Sequence, residues 1–178
     1  ILSAIAKRSS RIKNCLRAGD IDSTLRALRM LGAKITEEKN SFTTRGVGLH
    51  GLKKSDGIID VGNSGTTLRL LTGILSAQNF SSVISGDASL RRRPMDKLID
   101  ALRRMGASLC GVNDQTAPIH IQPLGENLRS IQYESFFPSA QIKSALLIAG
   151  LYADGITEVK ESVPTRNHTE ELLKKMGV

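Results

Sequence analysis

The apolar positions of the chain fall into two alternating helical patterns. In Ser23 to Leu31, Asp96 to Met105 and Thr169 to Met176, Leu, Ile and Met recur at three- and four-residue spacing with polar and basic residues between them. That is the stripe of a surface helix with one buried face. In Thr66 to Gln78 and Ser139 to Ala153 apolar residues cover nearly every side, so these two helices are expected in the interior. Short β-type runs lie among them: Ser10 to Asn14, Ala33 to Thr36, Gly57 to Val61, Ser81 to Ser85, Pro118 to Gln122 and Gly155 to Lys160. Glycine closes each amphipathic pattern, in Leu31-Gly32-Ala33, Met105-Gly106-Ala107 and Met176-Gly177-Val178, where a left-handed C-terminal cap favours it.

Those three glycines stand 74 and 71 positions apart. A second marker, Ile1-Leu2-Ser3-Ala4, Ile74-Leu75-Ser76-Ala77 and Leu147-Ile148-Ala149-Gly150, recurs at 73 positions both times. Two independent markers on one period define a repeat of about 72 residues, each unit holding two helices and several strands. The predicted fold class is α/β or α+β: a pseudo-symmetric domain of repeated strand–helix units around buried helices.

Composition narrows the function classes. The 178 residues are 40% hydrophobic and 24% charged, enough apolar surface for one globular domain or two small ones and too much for a disordered chain. The nearly uncharged stretches Leu70 to Gln78 and Ser144 to Ala153 fall short of the roughly 20 residues of a membrane span. Cys15 and Cys110 are 95 positions apart, so neither a disulfide framework nor a paired metal half-site is expected, and the reading is a reduced, cytoplasmic protein. The chain opens on Ile1 inside a helical pattern and ends at a helix terminus, so a piece of a longer protein is expected.

Chemistry gathers where helices begin. Gly62-Asn63-Ser64-Gly65-Thr66-Thr67 joins a strand to a buried helix. Such a turn presents free backbone N–H groups at the positive end of the helix dipole, a cradle for phosphate or carboxylate, or an ordinary βα turn. Thr66 and Thr67 are candidates to cap that helix or donate hydroxyls. Leu90-Arg91-Arg92-Arg93-Pro94-Met95-Asp96 places three arginines at another helix start, with Pro94 suited to its first turn. Like charge there is unfavourable by roughly 0.3–1 kcal/mol per group, offset by Asp87 and Asp96, by solvent, or by a bound anion forked by arginine. In Pro138-Ser139-Ala140-Gln141 the serine is a natural N-cap, while Gln141 is polar at the head of the most apolar helix and needs a partner. Thr165-Arg166-Asn167-His168 precedes the last helix in the same way. His50, His120 and His168 show no metal-ligand spacing, and no Walker loop, serine-hydrolase elbow or carboxylate dyad occurs; no metal or cofactor is expected.

In order and spacing, Gly62 to Leu70, Gly86 to Met95, Ser139 to Ala145 and Arg166 to Glu170 resemble the motifs of the 5-enolpyruvylshikimate-3-phosphate synthases, and the likeness spans essentially the whole chain. The resemblance implies a shikimate-pathway transferase. It moves the enolpyruvyl group of phosphoenolpyruvate to the 5-hydroxyl of shikimate 3-phosphate and releases phosphate through a tetrahedral intermediate. It also implies two similar domains of three βαβαββ units each, with residues 1–178 forming most of the N-terminal one and its first strand and the C-terminal domain lying elsewhere. By position, Gly65, Arg93 and Gln141 would contact phosphoenolpyruvate; Ser139, Gln141, Thr165 and Arg166 would contact shikimate 3-phosphate. Ala140 stands where some members carry a second serine, and Thr165 where serine is common. The family's early Lys-Ser and Arg, and the acid/base groups of its second domain, have no counterpart here, so no catalytic residue is assigned and the chain alone is expected to be inactive. A glycine at position 65 implies a glyphosate-sensitive parent. The related transferase acting on UDP-N-acetylglucosamine fits less well, because neither cysteine lies amid Arg and small residues. The net charge of +8 prompts a nucleic-acid-binding alternative. It is disfavoured by the 3% aromatic content and by arginines that punctuate helix starts instead of forming a stripe.

Overall fold

A computed structural model describes residues 1–178. Three units follow one another. The first runs α1 (Leu2–Ile5), β1 (Ser9–Lys13), α2 (Gly19–Met30) and a hairpin of β2 (Lys34–Glu38) and β3 (Ser41–Arg45). The second runs β4 (Ile59–Asp60), α3 (Gly65–Leu75), β5 (Ser82–Ser85), a 3₁₀ turn (Leu90–Arg92), α4 (Asp96–Arg104) and a hairpin of β6 (Leu109–Val112) and β7 (Thr116–Ile121). The third runs β8 (Leu128–Arg129), β9 (Gln132–Ser135), α5 (Ala140–Gly150), β10 (Ala153–Asp154), β11 (Glu158–Glu161) and α6 (His168–Lys175).

The sheets repeat with the sequence. In the second unit the order is β4-β5-β7-β6, with β4 parallel to β5 and the other pairs antiparallel. The β1-β3-β2 sheet reproduces the antiparallel part of that pattern. The parallel pair of β9 and β11 reproduces β4 with β5, since a strand–helix–strand crossover connects each. The middle unit is a complete βαβαββ motif, and the fold is the mixed α/β architecture expected from the periodicity.

The two helices predicted to be interior are interior. Leu68, Leu71, Ile74 and Leu75 of α3 and Ala145, Leu146, Ile148 and Ala149 of α5 are at most 1% exposed, within one apolar cluster of 37 residues. They cross closely at Gly73, where an added Cβ would stand 2.6 Å from the Ala145 carbonyl oxygen. The amphipathic helices α2 and α4 lie on this core through Ala27 and Leu28, and through Leu98, Ile99 and Leu102. Gly32, Gly106 and Gly177 have φ of 84°, 94° and 87°, the left-handed geometry that caps a helix end at little steric penalty only for glycine.

Several boundaries differ from the sequence reading. The helix α2 starts at Gly19, four residues before Ser23, because Asp20 and Asp22 occupy its first turn, where the dipole favours acids. The helices α3 and α5 stop at Leu75 and Gly150, yet the apolar pattern runs on because Ala77 and Tyr152 in the following turns are also buried. Residues 155–157 stay outside β11, which begins at Glu158. Strands β3, β6, β8, β9 and β10 were not expected from the sequence.

Candidate functional site

Helix α3 begins where β4 ends. Gly62 donates its N–H to Asp60 Oδ1 at 2.8 Å, which tightens the turn. The N-cap is Ser64, whose Oγ accepts from the Thr67 N–H at 3.3 Å; neither threonine caps. Thr67 points inward, its hydroxyl within 2.8 Å of Ser64 and 2.6 Å of Thr24. Thr66 points outward toward α5 and accepts from Gln141 Nε2 at 2.9 Å.

Asn63 organises the arginine cluster. Its Nδ2 donates to both carboxylate oxygens of Asp87, at 3.0 and 2.8 Å, and its Oδ1 accepts from Arg93. Asp87 also accepts from the Leu90 N–H at 2.7 Å. The Leu90 N–H, then Asn63, hold its carboxyl below the usual range. Asp87 thus holds the first N–H of the 3₁₀ turn, whose N-cap position is Ser89, and reaches Arg93 through Asn63 instead of by direct ion pairing. The arginines sit differently from the sequence expectation. Helix α4 starts at Asp96 after Met95, so Pro94 precedes the helix, and Arg91 and Arg92 lie exposed on the 3₁₀ turn.

Arg69, which the sequence reading passed over, is the hub of the site. From the second turn of α3 it donates to the Pro94 carbonyl at 2.8 Å, to Gln141 Oε1 at 2.8 Å and to the Gly65 carbonyl at 3.3 Å. Burial first, and then the charge of Arg93, push its pKa down, but a guanidinium remains cationic at any physiological pH. The sequence signal was an arginine inside a stretch otherwise patterned as a buried helix. Gly65 sits between Arg69 and Arg93: a Cβ there would approach Arg93 Nη1 to 2.9 Å and Arg69 Nη1 to 3.0 Å.

The heads of α5 and α6 complete the arrangement. Ser139 is the N-cap of α5, its Oγ accepting from the Ile142 N–H at 3.3 Å, which leaves its hydroxyl proton for another acceptor. Gln141 satisfies its amide on Arg69 and Thr66, so its polarity at the helix head is explained within the protein. Thr165 donates its hydroxyl to Glu161 Oε1 at 2.5 Å. Arg166 is exposed and has no carboxylate within ion-pair distance. Behind it Lys143 is buried between Glu161 at 2.6 Å and Glu170 at 2.7 Å. Desolvation pushes the Glu161 carboxyl up, but Lys143 and Thr165 outweigh it and hold it low.

One cleft results. Gln141, Ala140 and Arg166 line both of its lobes; Thr66 and His168 close one and Ser139 and Thr165 the other. Arg93 is bonded to Asn63 and Arg69 to Gln141, and the two guanidiniums flank Gly65 without a hydrogen bond between them, so Arg69 is the link between that side and the cleft. Arg166 is the one guanidinium lining the cleft, while Arg69 and Arg93 flank Gly65 on the far side of Gln141; two cationic regions on either side of one amide suit a ligand set carrying separate anionic groups. No cluster of His, Cys, Asp or Glu is placed to hold a metal ion. His120 is exposed on β7 opposite Cys110, and His50 packs edge-on against Tyr152.

Residues 1–178 match the family model described as EPSP synthase (3-phosphoshikimate 1-carboxyvinyltransferase). The 3-phosphoshikimate 1-carboxyvinyltransferase of Alkaliphilus metalliredigens is 46% identical over 178 residues, covering 99% of this chain and 41% of that protein. That of Thermodesulfovibrio yellowstonii is 48% identical over 180 residues, covering 100% of this chain and 41% of that protein. A solved structure of EPSP synthase from Acinetobacter baumannii superposes with a TM-score of 0.94 at 45% identity, over 98% of this chain and 40% of that one. The chain therefore spans about two-fifths of the length of the curated relatives it matches. Its sequence, its repeat and its fold agree on one conclusion: the chain belongs to the EPSP synthase family.

Proposed function

We propose that this chain is the part of an EPSP synthase that binds shikimate 3-phosphate and one face of phosphoenolpyruvate. In the full-length protein the enolpyruvyl group passes to the 5-hydroxyl of shikimate 3-phosphate and phosphate is released. The observation that carries this reading is Gln141, which is bonded to Arg69 on the Gly65–Arg93 side and lines the cleft beside Arg166 on the other. An amide with Arg69 and Arg93 on one side and Arg166 on the other suits two anionic substrates held side by side, with the arginines raising the local anion concentration. Gly65, Arg93 and Gln141 are assigned to phosphoenolpyruvate, and Ser139, Gln141, Thr165 and Arg166 to shikimate 3-phosphate.

The polar lining of the cleft is the Arg166 guanidinium, the Gln141 amide, several hydroxyls and, in His168, one imidazole; it contains no carboxylate base. General acid/base chemistry is accordingly assigned to a C-terminal domain of the same protein, and the 178-residue chain by itself is expected to show no turnover. Enolpyruvyl transfer by the isolated chain, measured as phosphate release, would contradict that division of labour. Cytoplasmic residence is proposed on the two free thiols, Cys15 and Cys110; no helix is long and apolar enough to cross a membrane. Inhibition by glyphosate is proposed on the absence of a side chain at Gly65, between the Arg93 and Arg69 guanidiniums, and nucleic acid is not assigned as a partner. Calorimetric titration of the full-length protein with shikimate 3-phosphate tests the reading, which requires saturable one-site binding weakened by Arg166→Ala; a heatless titration sinks it.

A further inference from the structure

We propose that Lys143 is a positioning residue: it fixes the β11–α6 loop so that Thr165 and Arg166 face the cleft, and it keeps two neighbouring carboxylates off the Arg166 guanidinium. The inference rests on the reading of the cleft as the shikimate 3-phosphate site. The Lys143 side chain is only 6% exposed and sits one turn into α5, the helix whose head supplies Ser139 and Gln141. Its ammonium joins Glu161, the last residue of β11, and Glu170, in the first turn of α6. Helix α5 and the two elements that flank the Thr165–Arg166 loop, β11 and α6, are thus tied at one buried point.

The loop between them has few other anchors. Ser162 donates its N–H to Ser135 at one end and Asn167 bonds Glu171 at the other. Between those ends the ties run through Thr165, whose hydroxyl and N–H both go to Glu161. Arg166 itself makes no hydrogen bond or ion pair within the protein. Adjacent Ser144 and Thr169 add a hydroxyl–hydroxyl contact of 2.7 Å between α5 and α6. Lys143 engages one oxygen of each acid, and Glu170 Oε2 is buried without a partner. Removing the ammonium leaves two carboxylates without a countercharge at the two ends of the loop that carries the unpaired Arg166, and pairing with that guanidinium becomes an outlet for them. The loop would then lose its anchor, and the arginine its free charge.

The test uses the full-length protein with Lys143→Met, Lys143→Arg and Glu161→Gln, each with and without Arg166→Ala. Affinities for shikimate 3-phosphate and for unphosphorylated shikimate are measured by calorimetry, together with amide hydrogen exchange across residues 162–168. The proposal expects Lys143→Met to weaken shikimate 3-phosphate about tenfold, as loss of one charge-assisted contact would, and to leave shikimate within about twofold. Exchange in the loop rises, Lys143→Arg restores most of the affinity, and in the Arg166→Ala background Lys143→Met adds less than about twofold. Should Lys143→Met fail to fold, Glu161→Gln carries the same comparisons with a smaller effect in the same direction. Equal losses for both ligands, effects additive with Arg166→Ala, or unchanged loop exchange would overturn the proposal. A wild-type protein that binds no shikimate 3-phosphate, together with faster loop exchange in Lys143→Met, would overturn the ligand reading and uphold the clasp.

Discussion

Gly65 and Arg69 show how much a single position decides. A Cβ at Gly65 meets only the far ends of the Arg93 and Arg69 side chains, which can swing aside, so Gly65→Ala should alter stability by less than about 1 kcal/mol. The same swing withdraws both guanidiniums from the space they face. The KM for phosphoenolpyruvate should rise about tenfold while affinity for shikimate 3-phosphate changes little; an unchanged KM would separate Gly65 from that substrate. Arg69→Lys keeps the charge but loses the planar fork that reaches Pro94 and Gln141 together. A loss of about 1–2 kcal/mol is expected from chemical denaturation, along with weaker binding of both substrates. Arg93, Gln141, Ser139 and Arg166 were legible as helix-start residues. Arg69 was not, because nothing in a one-dimensional pattern shows that a second-turn arginine bends back across a helix head to a neighbouring loop and helix.

The elements were read in proportion to how far apolar periodicity reports burial. The all-round apolar character of α3 and α5 gave their interior position correctly. Their crossing at Gly73 rests on backbone proximity, and Gly73→Ala must push apart a helix and the Ala145 carbonyl. It should destabilise by about 1–3 kcal/mol, the range for overpacking a core, read as a lower urea midpoint; a neutral result would mean that the crossing can slide. Strands β3 and β9 escaped notice because polar residues fill several of their buried positions: Ser41 and Thr44 in one, Ser135 in the other. Their burial comes from strand pairing on a sheet, which hydrophobic alternation does not register. Capping was misplaced for a similar reason: Ser64, Thr66 and Thr67 are chemically interchangeable as caps, and only the turn at Gly62 decides that Ser64 occupies the position.

At the scale of the molecule, the 73-residue period proved to be the clearest statement in the sequence, since sheet order and parallel pairing recur with it. Acid should loosen the site. Asp87 is held low by Leu90 and Asn63, and Glu161 by Lys143 and Thr165 against its desolvation. A carboxyl lowered on folding stabilises fully above its unfolded value of about 4 and loses that contribution as pH falls through the folded value. Lys143 is raised by Glu161 and Glu170 against desolvation, so its contribution is full below the unfolded lysine value of about 10.4 and fades only above it. The urea midpoint should therefore hold steady between about pH 5 and 9 and fall below about pH 4, less steeply in Glu161→Gln; a transition near pH 6.5 would assign the linkage to histidine instead.

The central claim is that separate helix starts, brought together by the repeat, set two anion-binding half-sites side by side across Gln141. Titrating the full-length protein and its Arg93→Ala and Arg166→Ala variants with each substrate tests it most directly. The account predicts that Arg166→Ala weakens shikimate 3-phosphate by about tenfold or more with little effect on phosphoenolpyruvate, and that Arg93→Ala does the reverse. Binding of both substrates that ignores both substitutions would contradict it.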